Sequence, residues 1–241
     1  MIMKTRFFVI AVFLLGAMGM VSCERPPEFS FVPKIAFEKV TYEEIPATQD
    51  LLNVTIYFED GDGDLGVTSE EAKHPPFHEN TYFQATPPHH PVYNLEGIST
   101  EFLLKLGDID TLPPYNCVNY MEFDRKLPDN STVIDIVYRQ PNPMGKNFRL
   151  KFFIKKGETF EEYNFMEKTC ISSDGTFTRL NTADYDRPLQ GNLTYTFRAS
   201  NLKTYFGSYP IKLQVQIMDR KGNLSNIAES PEFTLDEVLI R

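Results

Sequence analysis

Period-two alternation most constrains what this chain can fold into. Ile211, Leu213, Val215 and Ile217 alternate with Lys212, Gln214 and Gln216. Successive side chains of an extended strand point to opposite faces, so such a run sets one face in a core and the other in water. The same pattern recurs in Val54, Ile56 and Phe58, in Ile134, Ile136 and Tyr138, in Phe148, Leu150, Phe152 and Ile154, and in Leu193, Tyr195, Phe197 and Ala199. Residues 35–42 and 230–240 read as the first and last strands. No stretch of comparable length carries the helical period, and Glu158–Glu167 leaves room for at most one short helix. Twenty Phe, 12 Tyr, no Trp and 17 Pro agree with a mainly β chain joined by irregular loops.

The alternation weakens between residues 70 and 130. Pro75-Pro76, Pro87-Pro88 and Pro113-Pro114 punctuate that stretch, and proline, lacking an N–H, is excluded from central strands. Only residues 99–106 offer a further strand there. The expectation is an antiparallel β-sandwich over 34–241 that carries a large loop-rich insertion at about 70–130.

The N-terminus reads differently. Lys4 and Arg6 precede an unbroken apolar run, Phe7–Leu15, and then Gly16, Ala17, Gly19 and Ser22 lead to Cys23. This is the layout of a secretory signal over 1–22, too short in its apolar part for a retained membrane helix. Met20-Val21-Ser22-Cys23 resembles the bacterial lipobox, with Met20 where leucine is usual. That resemblance implies that Cys23 becomes an acylated N-terminus, with residues 23–33 as a tether stiffened by Pro26, Pro27 and Pro33. Each buried CH₂ of an acyl chain contributes about 0.8 kcal/mol, so two or three chains on one cysteine hold a domain on a bilayer.

Removing 22 of the 241 residues leaves 219, and with Lys4 and Arg6 gone the 24 basic residues become 22 against 33 acidic ones, a formal charge of −11. No basic cluster survives, which disfavours nucleic acid as a partner. With Cys23 assigned to lipid, Cys117 and Cys170 remain as an even pair, and an exported compartment permits their disulfide.

The densest chemistry lies in Glu59-Asp60-Gly61-Asp62-Gly63-Asp64-Leu65-Gly66. Alternate carboxylates separated by glycine can converge on one hard cation, because Ca²⁺ accepts six to eight oxygens in flexible geometry. Asp60, Asp62 and Asp64 would fill positions 1, 3 and 5 of a calcium loop, and Glu71 position 12. Leu65 in place of the glycine at position 6, and no helix leading in, argue against an EF-hand. The alternative is a solvated turn whose aspartates accept their own backbone N–H groups. Any ion here is expected to be structural, and no cofactor is required.

This strand-to-loop run, Tyr57–Gly66, resembles Bacteroidota lipoproteins that carry an immunoglobulin-like β-sandwich. Their closing hairpin has a counterpart in Asp219-Arg220-Lys221-Gly222-Asn223, followed by Ser230-Pro231-Glu232-Phe233. The resemblance covers about residues 35–68 and 190–240. It implies an outer-membrane lipoprotein of the cell envelope. Glu24 and Glu28 make only a faint acidic run after Cys23, which favours the periplasmic face over the cell surface. Whether Asp219 joins the acidic loop is not set by the sequence.

All four histidines, His74, His78, His89 and His90, fall in one segment. Clustered imidazoles can share a transition metal, although Pro75 and Pro76 forbid the helix of a zincin between His74 and His78. Neither a nucleophile elbow nor a phosphate-cradling glycine loop is present. The sequence therefore points to a non-enzymatic binding, structural or accessory role, its partners being the membrane through the lipid and an envelope protein or glycan. The competing reading is an envelope hydrolase or metal-capturing protein that uses the 74–90 insertion.

Overall fold

A computed structural model describes residues 28–45, 49–84, 103–105, 116–181 and 187–240. The alternating segments become strands. β1 (Lys34–Glu43), β2 (Asp50–Asp60) and β9 (Leu189–Ala199) form one antiparallel sheet in the order β1-β2-β9. β7 (Phe148–Lys156), β8 (Thr159–Tyr163), β10 (Ile211–Ile217) and β11 (Ala228–Glu229) form a second, in the order β11-β10-β7-β8.

Register and alternation together make these sheets a sandwich. Ile211, Leu213, Val215 and Ile217 of β10 are buried, as are Phe148, Leu150, Phe152 and Ile154 of β7. They join Leu52, Val54, Ile56 and Phe58 of β2 and Leu193, Phe197 and Ala199 of β9 in one hydrophobic cluster. A single sheet buries one face only against another layer, and here each supplies that layer for the other. Two five-residue helices, α1 (Phe165–Thr169) and α2 (Leu202–Phe206), close the core away from the acidic loop. Phe165 and Phe206 pack around Phe152 at ring separations of 5.0 and 5.3 Å.

The 70–130 stretch holds more order than its prolines suggest. β3 (Asn80–Gln84), β4 (Leu103–Lys105), β5 (Tyr120–Lys126) and β6 (Thr132–Pro141) form a third sheet, ordered β4-β3-β6-β5, in which only β3 and β4 are parallel. The alternation at Ile134, Ile136 and Tyr138 does run as a strand, but in this sheet rather than in the sandwich. The cysteines tie the two parts together: Cys117, just before β5, is disulfide-bonded to Cys170 at the end of α1, with Cα atoms 5.7 Å apart. Asn142 Nδ2 adds hydrogen bonds of 2.6 and 2.7 Å to the carbonyls of Pro76 and His78.

In place of the expected last strand over 230–240 there are only isolated bridges at Phe233 and Leu239, and the short β11 lies just before it. Pro231 has no N–H to extend the ladder, and Ser230 turns its hydroxyl inward to accept from the N–H of Leu213 at 2.9 Å. Pairing resumes only at Phe233, which exchanges both backbone bonds with Ile211. Among the described residues no helix is long and apolar enough to cross a membrane.

Candidate metal centre

β2 carries the acidic loop to one end of the sandwich. Its last core residue is Phe58 and its final residue, Asp60, is fully buried. The chain then turns through Gly61, Asp62, Gly63 and Asp64 before Leu65 returns to the core with no exposure. The two glycines serve different ends. Gly63 has φ 67°, a left-handed conformation that most side chains avoid. Gly61 instead allows close approach: its N–H donates to the Ser30 carbonyl at 2.9 Å, and a Cβ there would lie 2.5 Å from the Phe29 carbonyl oxygen.

Three carboxylates consequently converge without water around them. Asp60, Asp62 and Asp64 are 0, 9 and 6% exposed. One oxygen from each lies within 4.8 Å of the others. In all three, Oδ1 is buried and has no hydrogen-bond partner. Elsewhere the loop meets part of its own demand: the Asp64 N–H donates to Asp60 Oδ2 at 3.1 Å. Three orphaned acceptors in one place remain, each with a desolvation cost of about 1–3 kcal/mol.

Asp219, two residues past β10, is 2% exposed and close enough for its charge to bear on Asp60 and Asp64, although it is not one of the three converging carboxylates. Its carboxylate is occupied differently. The N–H groups of Lys221 and Asn223 donate to Oδ1 at 2.9 and 2.8 Å, and Asn223 Nδ2 donates to Oδ2 at 2.7 Å. The Asp-x-x-Gly-Asn turn thus builds a cradle for its own aspartate, while the negative charge of that aspartate still bears on its neighbours. Burial, then the charges of Asp62, Asp64 and Asp219, push the Asp60 carboxyl up to about 7. Burial, then the charges of Asp219 and Asp62, push Asp64 up to about 6.

One cation of the chain answers this charge. Lys221 Nζ pairs with Asp62 Oδ2 and lies 3.6 Å from Asp64 Oδ2, its own side chain 63% exposed. It reaches the rim and leaves the Oδ1 atoms unanswered. Two oxygens bound to one Ca²⁺ at 2.3–2.6 Å can be at most about 5 Å apart, so the spacing of the three suits a single ion.

Glu71, which loop counting would put at position 12, lies elsewhere. It accepts from Arg220 Nη2 at 2.6 Å and Nη1 at 3.0 Å, and from the Thr68 N–H and hydroxyl at 2.9 Å each. The Arg220 hydrogen bonds, then the Thr68 N–H, hold its carboxyl down at about 2. A short 3-10 turn, Glu71–Lys73, replaces the exiting helix of an EF-hand.

The other residues singled out in the sequence do not assemble here. His74 is exposed and lies 3.5 Å from Glu70, and the His78 backbone carbonyl anchors Asn142. His89, His90 and Cys23 lie outside the described residues.

Sequence reading missed Lys221 as counter-ion and Arg220 as the partner of Glu71. Their place beside Asp219 in the closing turn was the only available hint. Compared with protein-family models, with curated proteins and with solved structures, the chain matches none of them.

Proposed function

We propose that this protein is a lipid-anchored, non-enzymatic component of a bacterial cell envelope, an immunoglobulin-like sandwich that one Ca²⁺ ion rigidifies at its acidic end. The carrying observation is the set of three buried Oδ1 atoms on Asp60, Asp62 and Asp64, each without a partner. An oxygen-only donor set selects a hard cation, and flexible loop geometry favours Ca²⁺ over Mg²⁺, which demands a near-ideal octahedron. The role of the ion is structural: it holds together the loop that leaves β2, through Asp60, Asp62 and Asp64.

Calorimetric titration with Ca²⁺ tests the site. Binding in the wild type that is lost in Asp60→Asn supports it, and no heat or melting shift at millimolar Ca²⁺ overturns it. The anchor rests on the three-part N-terminus and Cys23. Incorporation of a palmitate analogue that disappears in Cys23→Ala tests it in the producing bacterium, and labelling unchanged in that variant overturns it.

A further inference from the structure

The segment that enters the sandwich is unusually apolar for a surface. Phe31 and Val32 are 68 and 45% exposed, although they immediately precede the buried Pro33. They are not loose. The Ser30 carbonyl accepts from Gly61, and the Phe31 ring lies against that glycine. The Ile35 N–H donates to Asn226 Oδ1 at 2.9 Å, and Asn226 Nδ2 returns a bond of 2.9 Å to the Ile35 carbonyl. That reciprocal pair brings the hairpin after β10 alongside, with Ile227 56% and Leu224 37% exposed. Val32 and Asn226 line one shallow hollow together with Ser30, Ile35 and the exposed Lys34. Four apolar side chains are therefore held outward at the acidic end of the molecule by backbone and amide bonds.

We propose that this patch, Phe31, Val32, Leu224 and Ile227, seats in the interface of the bilayer that holds Cys23. The proposal rests on the lipid-anchor reading above. Chain length selects this occupant over a protein partner. Phe31 lies eight residue steps after Cys23, and at 3.3–3.6 Å per step these span at most about 29 Å. The anchored domain cannot carry Phe31 farther than that from the headgroups. Tethering also raises the effective concentration of the patch at the membrane into the millimolar range, so contacts too weak to recruit a free protein suffice to orient a tethered one. Aromatic and aliphatic side chains with a lysine at the rim match the interface, where apolar groups enter the acyl boundary and an ammonium stays among the headgroups. The metal site then faces the membrane, and the opposite end, where Tyr209 precedes β10, faces away.

The absence of tryptophan from the chain gives a clean probe. The full-length acylated protein, carrying in turn Phe31→Trp, Ile227→Trp or Tyr209→Trp, is reconstituted on phosphatidylcholine vesicles with and without brominated acyl chains. Flotation reports the anchor and fluorescence reports the docking. The proposal expects at least twofold quenching of the probes at 31 and 227, with the probe at 209 unaffected. A protein that floats with the vesicles while all three probes stay unquenched, or are quenched equally, overturns the docked orientation and leaves the anchor standing. A protein that does not float overturns the anchor reading and the docking with it.

Discussion

Arg220 grips Glu71 through both guanidinium nitrogens, at 2.6 and 3.0 Å, across 149 residues of sequence. The Arg220 N–H meanwhile donates to the Asp64 carbonyl at 3.3 Å, and its Nη1 to the Gly66 carbonyl at 3.3 Å. A single residue of the closing turn, through its backbone N–H and its side chain, thereby fixes both ends of the stretch that follows the acidic loop. The two partners are about one fifth and one third exposed, so solvent screens the pair and geometry matters more than raw charge.

A double-mutant cycle with Arg220→Met and Glu71→Gln should return a coupling of about 1 kcal/mol by urea denaturation. The pair also has a defined pH signature. The Glu71 carboxyl is held near 2 in the folded chain, below the 4.5 of a free glutamate. A depressed acid stabilises the fold above its unfolded value and loses that contribution as pH falls through the folded one. Wild type minus Glu71→Gln stability should therefore be constant above pH 5 and decline between about pH 4.5 and 2. A difference that does not vary over that window would rule out the pairing.

Neutralising Asp60 should have opposite effects with and without Ca²⁺. Its buried charge is opposed by Asp62, Asp64 and Asp219, so Asp60→Asn in chelator at pH 8 should raise stability by about 1–2 kcal/mol. In excess Ca²⁺ the order should reverse, because the wild type gains about 2.7 kcal/mol at one hundred times its Kd and the variant gains none. Thermal melts of both proteins in both buffers read the crossover.

Gly66 has φ 88°, and a Cβ there would stand 2.3 Å from the Thr178 carbonyl oxygen. The nearest atoms are all backbone of Thr178 and Arg179, which leaves little to yield. Gly66→Ala should cost about 2 kcal/mol or more by denaturant titration. Gly157, also at positive φ, meets nothing within 4 Å of its would-be Cβ. Gly157→Ala should cost about 1 kcal/mol, and equal losses at the two sites would refute the steric account.

Reducing the Cys117–Cys170 bridge frees a separation of 53 residues. Loop-closure entropy for that length is about 4 kcal/mol, an upper figure if the reduced chain keeps structure. Within the bridged loop β7, β8 and α1 belong to the sandwich, whereas β5 and β6 belong to the third sheet and supply nothing to its core. The double variant Cys117→Ser/Cys170→Ser should therefore become protease-sensitive first within 80–141, with cleavage sites read by mass spectrometry.

Much of the sandwich was legible because its core is written in a strict period. Every second residue of β10 and β7 is buried as the alternation requires. The third sheet was hidden by prolines: in sequence Pro75-Pro76 precedes β3, Pro87-Pro88 falls between β3 and β4 and Pro113-Pro114 between β4 and β5, and composition alone reads such a stretch as loop. Of the two short helices, α1 overlaps the end of Glu158–Glu167, where the sequence left room for one, whereas α2 was opaque. Asn201 adopts a left-handed conformation without a side-chain cap of its own, and the Leu202 N–H is instead met at 2.8 Å by Asp50, 152 residues away. At the acidic loop the three aspartates were evident from their spacing. Asp219 was not, because its approach depends on the order of strands, which no local pattern encodes.

The bond between the Gly61 N–H and the Ser30 carbonyl, with the Asn226–Ile35 pair beside it, gives the molecule a mechanical character. A pull on the N-terminal segment meets the Gly61–Ser30 bond before the β1–β2 ladder, and the Asn226–Ile35 pair at the start of that ladder. Tension applied at residues 28–30 is therefore shared between the acidic loop and the closing turn, so whatever stiffens that loop also bears on the force at which the first strand peels away.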